Sequence, residues 1–157
     1  MDERCLWELL LSQRSLDLEE AFPLFAQGNP DEIEAWFLQF RRAILRILTC
    51  PRRVVGAING HAFAGGLILA SCCDYRIGVQ GKARYALNEV PIGIPMPPTY
   101  IELMRAIVGE KTAADAILSG RIYDAEAAKN AGFLHTLVPE SELRSSALAE
   151  AARILPI

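Results

Sequence analysis

Residues 54–76 constrain the fold of this chain most strongly, and they run V-V-G-A-I-N-G-H-A-F-A-G-G-L-I-L-A-S-C-C-D-Y-R. Residues 54–58 are β-branched and apolar on both faces, which predicts a strand buried on both sides of a sheet. Asn59-Gly60 predicts a turn. Residues 65–73 are apolar nearly all round, which predicts a fully buried helix. A buried strand that leads into a buried helix is typical of an α/β domain.

Hydrophobic periodicity and helix caps predict further elements on both sides of this segment. We expect helices over 30–49, with Asn29 as the cap, and over 99–108, 112–118, 125–131 and 141–154, the last two capped by Asp124 and Ser141. We expect strands over 75–79, 83–87 and 133–138. Residues 1–11 are expected to form a short helix or an irregular leader, and 16–25 a short helical turn. No linker or repeat interrupts this pattern, so residues 1–157 are predicted to form one domain.

Composition and charge exclude several classes of function. The chain has 157 residues, enough for one domain with a core, and a net charge of −3 without a basic block. A nucleic-acid partner is therefore not expected, because a phosphate footprint needs clustered Lys and Arg. No apolar run approaches the roughly 18 residues of a membrane span. The first eleven residues are too acidic for a signal or transit peptide.

The cysteines and histidines do not suggest a metal site. The four cysteines include no C-x-x-C pair, and only two histidines are present, so the ligands of a zinc site are missing. Cys72 and Cys73 are adjacent in the apolar helix and are interpreted as small buried hydrophobes. We therefore expect an intracellular protein in a reducing compartment. The sequence does not distinguish cytoplasm, mitochondrion and peroxisome.

Gly65-Gly66 opens the buried helix and has two interpretations. First-turn N–H groups lack partners within a helix, and glycine lets a ligand approach the backbone, so the pair can form a cradle for an anion or oxyanion. The alternative is structural, because small residues at this point also permit close packing of helix against strand. The sequence around the pair leaves both interpretations open.

Glu89 is a carboxylate set in an apolar stretch thirteen residues after Arg76. It is either a surface residue at a strand end or a partly desolvated base whose pKa burial has raised towards working pH. His61, His135 and Asp74 are interpreted as structural residues that hold turns and strand ends. No G-x-S-x-G motif occurs, which disfavours a hydrolase of that type.

Three segments resemble the enoyl-CoA hydratase/isomerase, or crotonase, superfamily. They are A-I-N-G-H-A-F-A-G-G-L-I-L-A-S-C-C-D-Y-R-I, A-R-Y-A-L-N-E-V-P-I-G-I and L-S-G-R-I-Y-D-A-E-A-A-K-N-A-G-F-L-H-T-L-V-P. The resemblance runs from about Ser15 to the end of the chain, with residues 1–14 as a poorly matched leader. It implies an α/β fold built as a spiral of β-β-α units. It also implies an acyl-CoA thioester as substrate, no separate cofactor, no metal, and a homotrimer or hexamer.

The resemblance also assigns roles to individual residues. The backbone N–H groups of Leu16 and Gly65 correspond to the two donors of the family's oxyanion hole, and Glu89 corresponds to a catalytic glutamate. Ser15 stands where the family has a glycine. The residues expected around the substrate are Asp17, Phe63, Ala64, Gly66, Ile92 and Ile94, with Met96 as a further apolar group. Each apolar member of this set is equally compatible with an ordinary core position.

Ile68 decides which activity the resemblance implies. Hydratases of the family use two glutamates, and the first of them falls on Ile68, which cannot ionise. One glutamate suffices for isomerisation, and N-E-V-P-I-G-I-P-M-P-P is similar to the Δ3,Δ2-enoyl-CoA isomerase branch. The expected reaction is the shift of a 3-enoyl-CoA to a 2-trans-enoyl-CoA.

Two other functions remain open at this point. One is a truncated, non-catalytic member of the family that serves in binding or assembly. The other is an enoyl-CoA hydratase that recruits an acid from elsewhere. Family members carry further strands at the start and further helices at the end, so this chain is expected to lack parts at both ends.

Overall fold

The computed structural model describes residues 8–11 and 29–153, and these residues form alternating strands and helices. The strands are β1 (Glu8–Leu11), β2 (Val55–Ile58), β3 (Ala62–Phe63), β4 (Tyr75–Val79), β5 (Arg84–Ala86), β6 (Tyr123–Asp124) and β7 (Thr136–Val138). The helices are α1 (Pro30–Leu48), α2 (Gly65–Ser71), α3 (Pro98–Val108), α4 (Glu110–Ser119), α5 (Ala125–Asn130) and α6 (Leu143–Arg153). Short 3₁₀ turns lie at Val90–Ile92 and Glu140–Glu142.

The strands make two small sheets. The larger is wholly parallel in the order β1-β2-β4-β7. In the smaller sheet, β3 pairs with β5 in parallel and β5 pairs with β6 antiparallel. Since β2 and β4 are parallel neighbours, the chain must cross over between them, and α2 lies in that crossover. This arrangement explains why residues 54–76 are apolar on nearly every face.

Helix α2 is buried as its sequence predicts except at Leu69, which is partly exposed. Leu67 has no exposed surface and Ile68 is 2% exposed. The packing is close where β2 meets the end of this helix, because a Cβ added at Gly56 would lie 3.1 Å from Cys73 Sγ. Small residues in this segment therefore do serve the packing of helix against strand.

Most helices begin and end near the predicted residues. Helix α1 begins at Pro30, and the Asp31 N–H donates to Asn29 Oδ1 at 3.0 Å, as expected of a capping Asn. Asp124 caps α5 through a 2.8 Å bond from the Ala127 N–H to its Oδ1. Gly109 and Gly120 follow the ends of α3 and α4.

Two expectations about the elements are wrong, and two short strands were missed. Residues 8–11 form a strand beside β2, not a helix, because pairing with an open sheet edge outweighs the weak pattern of so short an apolar run. Ser141 does not cap the last helix; it lies within a 3₁₀ turn after Pro139, and α6 begins at Leu143. The two-residue strands β3 and β6 were not predicted, since pairs of residues carry no periodicity. The helical turn expected over 16–25 lies outside the described residues.

Candidate functional site

The first turn of α2 presents backbone N–H groups that the helix itself does not use. The carbonyl of Ala64 accepts from the N–H groups of Leu67 and Ile68 at 2.9 and 3.1 Å, so the helical ladder begins with these donors. The N–H groups of Gly65 and Gly66 precede them and belong to the unpaired first turn. Both glycines are buried and carry no Cβ. This turn can therefore donate to an oxygen atom that approaches the backbone.

Ala64 has an unusual conformation that sets the direction of this turn. Its φ and ψ are 49° and −125°. Among the described residues it is the one non-glycine residue with positive φ. Such a backbone costs of the order of 1–3 kcal/mol and persists where the surroundings impose it. The bend turns the chain from β3 directly into α2.

Glu89 follows the strand that pairs with β3. In the parallel register of β3 and β5, Phe63 lies opposite Ala86. The Ala64 N–H donates to the Ala86 carbonyl at 2.9 Å. Carboxyl ends of parallel strands meet at one edge of a sheet, so the chain leaving β5 towards Glu89 starts beside the chain leaving β3 towards Gly65. The fold thus brings the two predicted elements of the site to the same sheet edge.

The Glu89 side chain is a buried carboxylate that the described residues compensate only weakly. The residue is 7% exposed, and neither carboxylate oxygen has a hydrogen-bond partner among the described residues. Burial raises the pKa of this carboxyl, and the backbone N–H of Glu89 itself opposes that shift to a smaller extent. Of the two interpretations of Glu89, the structure supports the desolvated carboxyl over the surface residue.

The backbone after Glu89 is folded into a compact turn. The Glu89 carbonyl accepts from the N–H groups of Ile92 and Ile94 at 3.1 and 2.9 Å. The turn closes at Gly93, whose φ is 83°. This turn fixes where the main chain of Glu89 lies, although its carboxylate is not itself bonded.

The residues predicted to surround a substrate differ in exposure. Phe63 and Ala64 are partly buried beside the buried Gly66. Ile92 and Ile94 are 50% and 41% exposed, so they could contact a ligand that lies over the turn. Met96 is 8% exposed and belongs to the hydrophobic core. Leu16 and Asp17 lie outside the described residues, and the roles of the Leu16 and Gly65 N–H groups as oxyanion donors stay predictions.

The residues interpreted as structural make the expected contacts. His61 Nδ1 accepts from the Arg84 N–H at 3.0 Å, and His135 Nδ1 accepts from the Arg76 N–H at 3.1 Å. Asp74 Oδ2 accepts from the Val54 N–H at 2.8 Å and so holds the start of β2.

The buried cysteines are not activated. Desolvation raises the pKa values of the Cys72 and Cys73 thiols to about 12, so neither is a ready nucleophile. Within residues 8–11 and 29–153, no cluster of three or more His, Cys, Asp or Glu side chains could hold a metal ion. No described helix is both long enough and apolar enough to cross a membrane.

Two residues close to Glu89 were not predicted from the sequence to belong to the site. Asn88 precedes Glu89, and its Oδ1 is buried without a hydrogen-bond partner among the described residues. Gly120, at the end of α4, packs against the turn that carries Glu89. An Asn after a strand and a Gly after a helix are ordinary turn residues. Only their positions beside Glu89 in the folded chain distinguish Asn88 and Gly120 from other turn residues.

The chain matches a known protein family and several of its members. The family model described as enoyl-CoA hydratase/isomerase matches residues 24–156. The mouse protein named enoyl-CoA delta isomerase 1, mitochondrial, is 31% identical over 130 residues, which are 82% of this chain and 45% of that protein.

Solved structures agree with this match. An enoyl-CoA hydratase/isomerase family protein from Pseudomonas syringae superposes with a TM-score of 0.77 at 34% identity, covering 83% of this chain and 57% of that one. An enoyl-CoA hydratase from Mycobacterium smegmatis superposes with a TM-score of 0.70 at 25% identity, covering 82% and 49%. This chain thus spans about half the length of these relatives. The neighbours confirm the crotonase-like α/β fold, and the chain belongs to the enoyl-CoA hydratase/isomerase family.

Proposed function

We propose that this chain catalyses a Δ3,Δ2-enoyl-CoA isomerisation with Glu89 as its single acid–base group. The substrate is an unsaturated fatty acyl-CoA thioester, and no cofactor takes part. The observation that carries the proposal is the buried carboxylate of Glu89, without a hydrogen-bond partner among the described residues, at the same sheet edge as the first-turn N–H groups of α2. Burying a carboxylate without hydrogen-bond partners lowers the stability of the fold. A role as a base whose pKa is raised towards neutral pH is a physical reason for such a residue.

The proposed reaction moves one proton and one double bond. The Glu89 carboxylate removes a proton from C2 of a 3-enoyl-CoA, and the electron pair spreads over C2, C3, C4 and the thioester oxygen as a dienolate. The protonated Glu89 returns the proton to C4, and the double bond between C3 and C4 becomes one between C2 and C3. No atom is gained or lost.

The N–H groups at the start of α2 have a defined part in this reaction. Negative charge develops on the thioester oxygen in the transition state, and the Gly65 N–H would donate to it, with the Leu16 N–H as the proposed second donor. Preorganised donors of this kind lower the barrier because they need no rearrangement as the charge develops. Phe63, Ala64, Gly66, Ile92, Ile94 and Asp17 are proposed to surround the substrate.

Ile68 favours isomerisation over hydration. The resemblance assigns the first hydratase glutamate to this position, and the side chain present is apolar and 2% exposed. It can neither position nor deprotonate a water molecule. A hydratase would need another acid, and hydration of crotonyl-CoA is the direct test for it.

The test follows conversion of a 3-enoyl-CoA to the conjugated 2-enoyl thioester by its ultraviolet absorbance. The parent chain is expected to be active, and Glu89→Gln is expected to lose activity by about 10²–10⁴-fold, the usual contribution of a positioned acid–base group. Glu126→Gln is the matched control, because Glu126 is an exposed glutamate on α5. It should retain the parent rate.

Three outcomes would contradict the proposal. Activity that survives Glu89→Gln would remove Glu89 from the mechanism. Hydration of crotonyl-CoA at a rate above that of isomerisation would favour a hydratase. Binding of CoA without either reaction would favour a non-catalytic binding or assembly protein.

A further inference from the structure

The turn at the end of α4 lies against the backbone on both sides of Glu89. Gly120 follows the helix with φ 60° and ψ 26°, and its N–H donates to the Ala116 carbonyl at 3.1 Å. A Cβ built at Gly120 would lie 2.6 Å from Pro91 Cγ, 3.4 Å from Pro91 Cδ and 3.5 Å from Asn88 Cα. The Pro91 ring therefore occupies the space that a side chain at position 120 would need, and only a glycine lets the two segments lie this close.

The side chain of Ser119 bonds to the backbone on both sides of this turn. Ser119 Oγ donates to the Asp115 carbonyl at 2.6 Å and accepts from the Arg121 N–H at 3.1 Å. Because these bonds close the end of α4 onto itself, the position of Gly120 is fixed by the helix. The turn thus presents a defined surface to Pro91.

The Glu89 carboxylate depends on such a support. Neither of its oxygens has a hydrogen-bond partner among the described residues, so no polar contact with them orients the side chain. Its place is set by the backbone of 88–91, and Pro91 transmits displacement to that backbone because its ring has no flexible end that could give way.

We propose that Gly120 is a positioning residue for Glu89, acting as the contact surface on which Pro91 rests. The proposal rests on the function assigned to Glu89 above and adds a residue that does not touch the substrate. It explains why α4, outside the sheet edge itself, packs on the 3₁₀ turn. A misplacement of about 1 Å at a reacting group can cost about 10²-fold in rate. A displacement of Pro91 that moves Glu89 by this much would therefore lower kcat measurably.

The first experiment compares Gly120→Ala with Gly109→Ala. Both glycines follow helices with positive φ. Gly120 has φ 60° and ψ 26°, and Gly109 has φ 79° and ψ 162°, so alanine is strained at both and more strongly at Gly109. At Gly109 an added Cβ meets nothing within 4 Å. We expect Gly120→Ala to lower kcat by about 10²-fold with little change in KM, and Gly109→Ala to stay within about 3-fold of the parent. Equal losses in the two variants would overturn the proposal.

The second experiment is rescue. Pro91→Ala removes the Cγ and Cδ atoms that an alanine at 120 would meet. The double variant Gly120→Ala/Pro91→Ala is expected to recover at least about tenfold of kcat relative to Gly120→Ala alone, since contacting sites are not additive. If the two substitutions act independently, the kcat of the double variant equals the parent value multiplied by both single-variant ratios. A measured kcat no higher than that would count against the contact.

A third measurement separates this proposal from the proposed function. The carboxyl ¹³C resonance of Glu89, followed against pH, reports its environment without any substrate. We expect the pKa of Glu89 to move towards its ordinary value in Gly120→Ala and to match the parent in Gly109→Ala. Such a difference in pKa supports the positioning role of Gly120 even if the parent chain shows no isomerase activity. An inactive parent would contradict only the proposed function. An unchanged titration in Gly120→Ala would overturn the positioning role whatever the activity.

Discussion

Glu89 shows how one buried residue links the proposed chemistry to the stability of the fold. Its carboxyl is surrounded by protein and bonded to nothing among the described residues, so the charged form is disfavoured by desolvation. A base that is easy to protonate is useful for a proton transfer near neutral pH. The same property makes the folded state less stable when the proton leaves.

The first prediction concerns the pH dependence of stability. Burial raises the folded-state pKa of Glu89 above its unfolded value near 4.5. Below that value the group is protonated in both states and costs nothing. As pH rises towards and through the folded-state pKa, the unfolded chain releases the proton more readily, and the parent loses stability. Glu89→Gln lacks this loss, so its advantage in unfolding free energy should grow with pH and then level off.

Urea unfolding of the two proteins from pH 4 to pH 9 measures this difference. Glu126→Gln is again the control, since its side chain is exposed on α5, and its difference from the parent should stay constant. A gap between Glu89→Gln and the parent that does not change with pH would show that the Glu89 carboxyl is solvated.

At the scale of elements, Arg76 joins parts of the chain that the sequence does not show to be neighbours. It is 7% exposed. Its Nε donates to the Phe133 carbonyl at 2.7 Å, and its Nη1 donates to the Cys73 carbonyl at 2.8 Å. One guanidinium thus ties the end of α2 to the segment before β7. It also holds the helix whose first turn carries Gly65.

The second prediction is that Arg76→Lys destabilises the fold although it keeps the positive charge. A lysine presents one ammonium group and cannot reproduce the planar fork, so at least one buried carbonyl would lose its donor. We expect a loss of about 2 kcal/mol in the free energy of unfolding, as for a buried hydrogen bond from a charged group. Denaturant unfolding at constant pH gives the value.

Arg84→Lys is the control for this change. Arg84 also donates to carbonyl groups, those of Lys82 and Ala83, but its residue is exposed. Its replacement should change stability by less than about 0.5 kcal/mol. Similar losses at both positions would mean that the buried fork is not the source of the effect.

The elements also show how far the sequence could predict this fold. Helix α1 was predictable because its periodicity and its Asn29 cap agree, and α2 and β4 because their apolar sequences match their burial. Strands β1 and β3 were not, because their hydrogen bonds come from distant partners. Gly65 and Glu89 were found from local chemistry and resemblance. Their shared sheet edge, and the contact of Gly120 with Pro91, depend on tertiary packing that no local pattern records.

At the scale of the whole molecule, large apolar side chains remain on the surface of the described part. They are Phe37, Leu45, Leu48, Val90, Ile92, Ile94, Leu118, Ile122 and Leu148. Two of them, Leu118 at 70% and Ile122 at 59% exposure, flank the Gly120 turn. Exposed apolar side chains lose contact with water when two chains associate, so they favour association. The family resemblance implies a homotrimer, and association through these side chains is the prediction that tests it.

The third prediction is therefore a concentration-dependent association that uses this surface. Sedimentation equilibrium should give a mass that rises with concentration from 17.3 kDa towards three times that value. Replacing Leu118 and Ile122 by Gln should weaken the association by at least about tenfold, since each buried leucine or isoleucine contributes about 1.5–3 kcal/mol. Leu148→Gln, on α6, is the control for a general gain in solubility. A parent chain that stays at 17.3 kDa at high concentration, or a Leu148→Gln effect as large as the double replacement, would show that this surface does not join copies of the chain.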